Sequence, residues 1–272
     1  MSNEVVKYKN ELNKFSFSGL TETEIDIIFA IFHKFKEKNS TEIVFQSDEL
    51  KKLIKYTRKD INFSDYAFKA FEKIQNFKIK CIHPCDENQI LSVVVFPVIS
   101  LSKKERSIKV NISNVIADYL NAIENNFTRF ELAEFVNLSS TYAKTLYRLL
   151  KQFRSSGWAQ FEFDDFRQLL GIPETYKQCD IDKFVLKTAI KELQKIQRGS
   201  QRPPFSNLTF EKIKGHGRSR GGKVVAIKFT FDKQIDACEA VDVQQVNNSV
   251  YSITPTAAAV AAPQAKKGKF AS

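Results

Sequence analysis

Three lysines, Lys183, Lys187 and Lys191, recur every four residues in a segment whose apolar residues Ile181, Val185, Ala189, Ile190 and Leu193 form a separate stripe. Residues four apart share one side of a helix. The spacing therefore predicts a helix over 180–196 with a basic face, and Thr188, Gln194 and Lys195 lie beside the lysines. Such a face can place ammonium groups on phosphates or guanines and polar side chains on base edges. An ordinary solvated helix face is the competing reading. A second cationic element follows at Gly215–Lys223, where Arg218, Ser219, Arg220 and Lys223 stand among glycines. Glycines allow close backbone approach, and arginines suit phosphate or a narrow minor groove. A solvated loop is the alternative there.

Catalytic and metal chemistry find less support. Gly217, Gly222 and Lys223 nearly match a phosphate-binding P-loop, but Val224 stands where a Ser or Thr must hold magnesium. A strand also follows where a helix is required. Cys81, His83 and Cys85 alternate tightly with no second Cys/His pair after them, whereas structural zinc takes four ligands. His33 and His216 are isolated, so no His-x-His pair is available to a metal-dependent nicking enzyme. No paired carboxylates or nucleophile–base arrangement stands out. The sequence thus predicts no catalytic residues, no metal, no cofactor and no enzymatic activity.

The charge is unevenly distributed. The 272 residues carry a formal net charge of +11. Residues 1–126 hold 19 Lys/Arg against 17 Asp/Glu, residues 127–233 hold 20 against 11, and the remainder holds three of each. A surplus confined to one domain-sized segment is the footprint of a polyanion binder. The N-terminal residues lack a signal-peptide pattern, and the longest apolar run, 93–99, is too short for a bilayer. A cytoplasmic location, no membrane partner and reduced cysteines are expected.

The elements that must position the basic residues come in a repeated order. Thr21 and Glu24 form a capping box before an amphipathic helix reaching Lys38, with Ile25, Ile28, Phe29, Phe32 and Phe35 on one face. A strand at 41–46, a short helix at 48–54 and a longer helix at 62–77 follow, then strands at 77–82 and 90–99, and a further strand at 108–112. Thr128 and Glu131 suggest a second capping box. A helix from Ser139 or Ser140 to Ser156, a strand at 158–163, a short helix at 165–170, the basic helix and a hairpin of 207–214 with 223–232 repeat the order. Phe127, Phe130, Phe135, Tyr142, Leu146 and Leu149 sit at helical spacing and read as core. Residues 45–53 also lie over residues 161–169 in residue type.

This order is that of a winged helix, a helix-turn-helix core with a hairpin beside it. The expected class is α+β, with two tandem winged-helix domains related by internal duplication. The first would occupy 1–126, serving dimerisation and auxiliary DNA contact, and the second 127–233, carrying the main DNA contact. A flexible tail would fill 234–272. In the first domain the third helix offers Lys69 and Lys73, in mixed-sign company with Asp65 and Glu72.

Specific runs carry a resemblance. Residues 10–14 with Leu20-Thr21-x-x-Glu24, residues 130–132, the run Tyr142 to Arg154, Phe166 to Pro173 and Leu208 to Gly215 are similar to the plasmid replication initiators of the Rep_3 type. The resemblance spans about residues 5–232. It implies binding to repeated origin sequences, called iterons, in double-stranded DNA. It also implies opening of the adjacent duplex, recruitment of host initiator and replicative helicase proteins, and autorepression. A homodimer in equilibrium with a DNA-binding monomer is implied too. Carried to this chain, Arg148, Lys151 and Arg154 become backbone contacts. The loop after the basic helix is unusually long for the family, and Arg198 and Arg202 there could add phosphate contacts or sit in tolerated slack. A winged-helix transcriptional repressor, a protein-interaction scaffold and a rolling-circle nickase are the competing functions.

Overall fold

The computed structural model describes residues 4–36, 40–58, 63–83, 86–102, 104–121, 125–197, 200–215 and 222–234. The expected tail beyond Gln234, the Arg198 position, Cys85 and the hairpin tip with Arg218, Ser219 and Arg220 lie outside the described residues.

The chain opens with strand β1 (Val5–Lys9) and a 3-10 turn (Asn10–Lys14), and then α1 (Glu22–Phe35). The capping box forms as the sequence demands: Thr21 N–H donates to Glu24 Oε2 at 2.8 Å, and Glu24 N–H donates to Thr21 Oγ1. The helix is apolar on more than its expected face. Ile27, Ala30 and Ile31 are as fully buried as Ile28, Phe29 and Phe32. It is packed on several sides because β1, a later helix of the second half and its own domain all lie against it.

Each half then builds the same unit. In the first, β2 (Glu42–Gln46) leads directly into α2 (Ser47–Leu53), followed by α3 (Phe63–Gln75), β3 (Lys78–His83), β4 (Asp86–Val94), β5 (Val98–Ser102), β6 (Ser107–Asn111) and α4 (Asn114–Leu120). In the second, β7 (Phe127–Glu131), α5 (Leu132–Phe135) and α6 (Thr141–Lys151) precede β8 (Trp158–Glu162) and α7 (Phe163–Leu170). A composite helix follows: α8 (Gln178–Asp180), a π-helical segment (Ile181–Leu186) and α9 (Lys187–Leu193). The hairpin of β9 (Thr209–Lys214) and β10 (Val224–Thr230) ends the unit. The sheet orders correspond, β2–β6–β5 and β8–β10–β9. In both, the strand before the short helix pairs with the last hairpin strand, as a duplicated winged helix requires. The junctions Gln46/Ser47 and Glu162/Phe163 also stand in the register read from the residues 45–53 and 161–169.

Three sequence expectations change. The strand expected over 90–99 is broken: β4 ends at Val94, Val95 and Phe96 are buried, and β5 starts after Pro97. Proline supplies no ladder donor, so the chain turns there. β3 and β4 form a hairpin of their own, and β5–β6 is the hairpin that joins β2. The second capping box does not form. Residues 127–131 instead make β7, antiparallel to β1 with Lys7 opposite Arg129. Alternation that turns Thr128 and Phe130 inward outweighed the Thr-x-x-Glu spacing. The boundary expected at 126/127 thus separates β7 from its sheet partner. α6 caps on Ser140, as read, but is regular only to Lys151, with turns to Gly157.

Candidate nucleic-acid interface

The composite helix 178–193 buries Ile181, Val185, Leu186, Ala189 and Leu193. It leaves Lys183, Lys187, Thr188 and Lys191 exposed, and it ends at Leu193 rather than the expected 196, so exposed Gln194 and Lys195 lie just past its end. The lysine row is therefore real surface. Its first half is wound wider than an α-helix: the Lys187 N–H bonds to the carbonyl of Asp182, five residues back. Thr188 Oγ1 donates to the carbonyl of Lys183, also five back, at 3.1 Å. The Thr188 hydroxyl hydrogen is thereby spent on the backbone. π-helical turns are uncommon and gather at functional sites.

Other side chains brace this helix. Lys212 of β9 pairs with Asp182 and donates to Gln178 Oε1 at 3.0 Å, fixing the hairpin to the helix start. Gln194, expected to read a base edge, donates its Nε2 to the Leu208 carbonyl at 2.9 Å. Leu193 accepts from the Phe205 N–H at 3.0 Å, and Phe205 is fully buried against Tyr147 and Phe231. Phe205 thus anchors the end of the long loop, on which Arg202 is exposed. Between the helix and β9 lies a groove of about 590 Å³ lined by Lys187, Lys191, Lys195, Ile190, Gln194, Leu208, Thr209 and Phe210. At the hairpin, exposed Lys223 lies 3.1 Å from Asp164 of α7. Both are well solvated, so the pair is weak and Lys223 can exchange partners.

The structure corrects the family-based placement of three basic residues. Arg148 is 1% exposed and Lys151 and Arg154 are each 9% exposed. The Arg148 guanidinium lies over the Phe17 ring and donates to the Leu12 and Phe15 carbonyls and to Asn13 Oδ1. Lys151 Nζ lies 3.0 Å from Glu134 and 2.7 Å from Gln234 Oε1. Arg154 donates to the Arg129 carbonyl at 3.0 Å. In this arrangement none of the three is presented to a phosphate. Arg148 ties the second half to the first, while Lys151 and Arg154 are bound to Glu134, Gln234 and the Arg129 carbonyl within the second half.

That seam is polar and buried, and sequence reading missed it. Lys144 on α6 is fully buried with its Nζ 2.6 Å from Asp26 of α1 and 3.0 Å from the Phe135 carbonyl. Burial raises the Asp26 carboxyl to about 7, against the pull of Lys144, and lowers the Lys144 ammonium. Burial also brings Arg148 down to about 10. Asn13 donates to Thr128 Oγ1 at 2.7 Å and to Gln152 Oε1 at 3.0 Å, and accepts from the buried Tyr8 hydroxyl. Buried charges of this kind persist only when paired and hydrogen-bonded.

In the first domain, Lys69 of α3 is exposed. Lys73 is not free: its Nζ sits 2.8 Å from Glu24 Oε2, the capping-box carboxylate. His33, isolated in sequence, has its Nδ1 2.7 Å from the Val5 carbonyl. No group of three or more His, Cys, Asp or Glu is arranged for a metal among the described residues. Nor is any described helix long and apolar enough to cross a membrane.

Two winged helices in tandem, the second offering a lysine-faced helix and a hairpin, define a tandem winged-helix protein. Residues 5–151 match the family described as Initiator Replication protein, WH1, and residues 162–231 match Initiator Rep protein, WH2. The chain belongs to this initiator replication protein family. A relative from Bifidobacterium longum (strain NCC 2705), described as a probable replication protein, is 29% identical over 196 residues. The match covers 71% of this chain and 65% of that relative, so the chain spans somewhat under two thirds of its length. The fold is also that of the Pi initiator protein, solved in complex with iteron DNA. The TM-score is 0.63 at 18% identity, covering 87% of this chain and all of the other.

Proposed function

We propose that this chain initiates plasmid replication by binding direct repeats of duplex DNA at the origin. The observation that carries the reading is the exposed row Lys183, Lys187 and Lys191 on the second domain's helix, with exposed Lys195 just past its end, beside a hairpin whose second strand begins after Lys223. This helix enters the major groove, with its lysines on phosphate or guanine. Arg202, Lys223 and the tip residues Arg218, Ser219 and Arg220 take flanking phosphate, and Arg198 joins them. Lys69 of the first domain adds an auxiliary contact, and the first domain also carries dimerisation. The monomer is the binding species, in equilibrium with a homodimer that represses the chain's own gene. Binding opens the adjacent duplex and brings in host initiator and helicase proteins. The protein works in the cytoplasm and performs no covalent chemistry itself.

In the division of labour we infer, β7, α5 and α6 are shared. They start the second half in sequence, yet β7 pairs with β1 of the first half in a two-stranded sheet and α6 meets α1 through Lys144 and Asp26. The test is a gel shift of the purified chain on an array of direct repeats from the replicon carrying its gene. Stepwise occupancy, one chain per repeat, is expected. Binding to a single inverted repeat would favour a repressor, and absence of binding would favour a protein-interaction scaffold. Nicked product with a divalent metal would reinstate the nickase.

A further inference from the structure

Phe184 stands out on the composite helix. It is 50% exposed, although its neighbours Val185 and Leu186 are fully buried. Large apolar side chains are usually inside, and an exposed one on a functional face calls for an explanation. It lies in the π-helical segment, where the extra residue per turn sets it off the buried stripe. Lys183 Nζ sits 5.1 Å from its ring centroid, and the Tyr176 ring packs at 6.4 Å, tilted by 60°. The ring therefore has two neighbours and yet stays half exposed. Thr188, four residues on, has its hydroxyl hydrogen turned to the backbone.

We infer that Phe184 is a specificity-determining residue that reads a thymine methyl in the major groove. The inference rests on the proposed binding of duplex DNA by this helix. Three features favour a base edge over a protein partner. The ring is flanked by Lys183 and Lys187, which supply phosphate attraction around it. It stands in the N-terminal half of the helix 178–193, and it is the N-terminal part of a recognition helix that meets base edges. An apolar ring also fits the one apolar group on the major-groove edge, the C5 methyl of thymine. The lysine row alone cannot make this distinction, because phosphate contacts carry no sequence information.

The experiment selects duplexes from a randomised library with the full chain and with Phe184→Ala, then measures affinity for the selected duplex. The wild-type motif should contain a thymine whose preference disappears in the Phe184→Ala selection. Replacing that thymine by deoxyuridine removes only the methyl. It should weaken wild-type binding by about three- to five-fold, the worth of one buried methyl-sized group. It should leave Phe184→Ala unaffected. An equal deoxyuridine effect in both proteins, or none in either, overturns the inference while binding itself stands. If the wild-type chain selects no duplex at all, the underlying reading fails instead. Because the deoxyuridine exchange on the wild-type protein needs no variant, a folding defect in Phe184→Ala cannot mask the outcome: a wild-type chain indifferent to every thymine methyl in its motif refutes the role.

Discussion

Replacing Lys187 and Lys191 by alanine removes two ammonium groups from the middle of the exposed row while leaving the buried stripe of Ala189 and Leu193 untouched. Each phosphate neutralised on duplex DNA contributes about −0.9 to the slope of log K against log salt. If both lysines contact phosphate, the double variant loses about 1.8 from the magnitude of that slope. The loss then depends on salt in a calculable way. Its expected size is about 200-fold at 0.05 M, about 30-fold at 0.15 M and about 3.5-fold at 0.5 M salt. Among the described residues neither lysine has an ion-pair partner that would be left buried, so melting should move little, as exposed changes usually cost within about 0.5 kcal/mol. Fluorescence anisotropy titrations of a labelled repeat across that salt range, with a thermal melt of each protein, make the measurement. A fold-loss independent of salt would refute phosphate contact. Equal binding at all salts would remove this face from the interface.

The seam yields further expectations. Lys144→Ala strands Asp26 in the interior and should cost about 3–5 kcal/mol, whereas Lys144→Met with Asp26→Leu should recover most of it; urea unfolding of both variants checks this. Asp26 adds a pH dependence. Its carboxyl is held at about 7 in the fold against 3.8 ordinarily, so between these values the folded state keeps a proton that the unfolded chain releases. This group's contribution therefore falls as pH rises from about 4 to about 7. Lys144, Glu22 and Lys55 also act on it, and Asp26→Asn should flatten the decline in urea midpoint over that window. Gly171 has φ +65, and a Cβ there would overlap the Ser18 side chain. Gly171→Ala should cost more than the 1–2 kcal/mol of a left-handed alanine, with part returned by Ser18→Gly, as read in thermal melts.

Much of the architecture was legible because it rests on local pattern. The residues 45–53 and 161–169 share a strand-to-helix junction, and both junctions stand where that correspondence puts them. The lysine face was legible because charge at four-residue spacing has one meaning on a helix. What escaped required partners far away in sequence. Arg148 lies on a helix where a basic residue ordinarily faces water, and only the carbonyls of Leu12 and Phe15, more than 130 residues earlier, explain its burial. Lys144 needed Asp26 in the same way. Thr128 and Glu131 satisfied a helix-start spacing and a strand alternation equally well, and the presence of β1 decided between them. Phe184 drew no notice because one aromatic outside a stripe has no pattern to break.

The central claim is that this chain binds repeated duplex sequence through the helix 178–193 and its hairpin. The most direct measurement is a nuclease footprint on the DNA that carries its gene, run with the wild-type chain and the Lys187→Ala/Lys191→Ala variant. The account predicts a ladder of protections over repeats of one orientation, evenly phased, and lost in the variant at 0.15 M salt. One palindromic protection, no protection, or a ladder that the variant reproduces at equal concentration would contradict it.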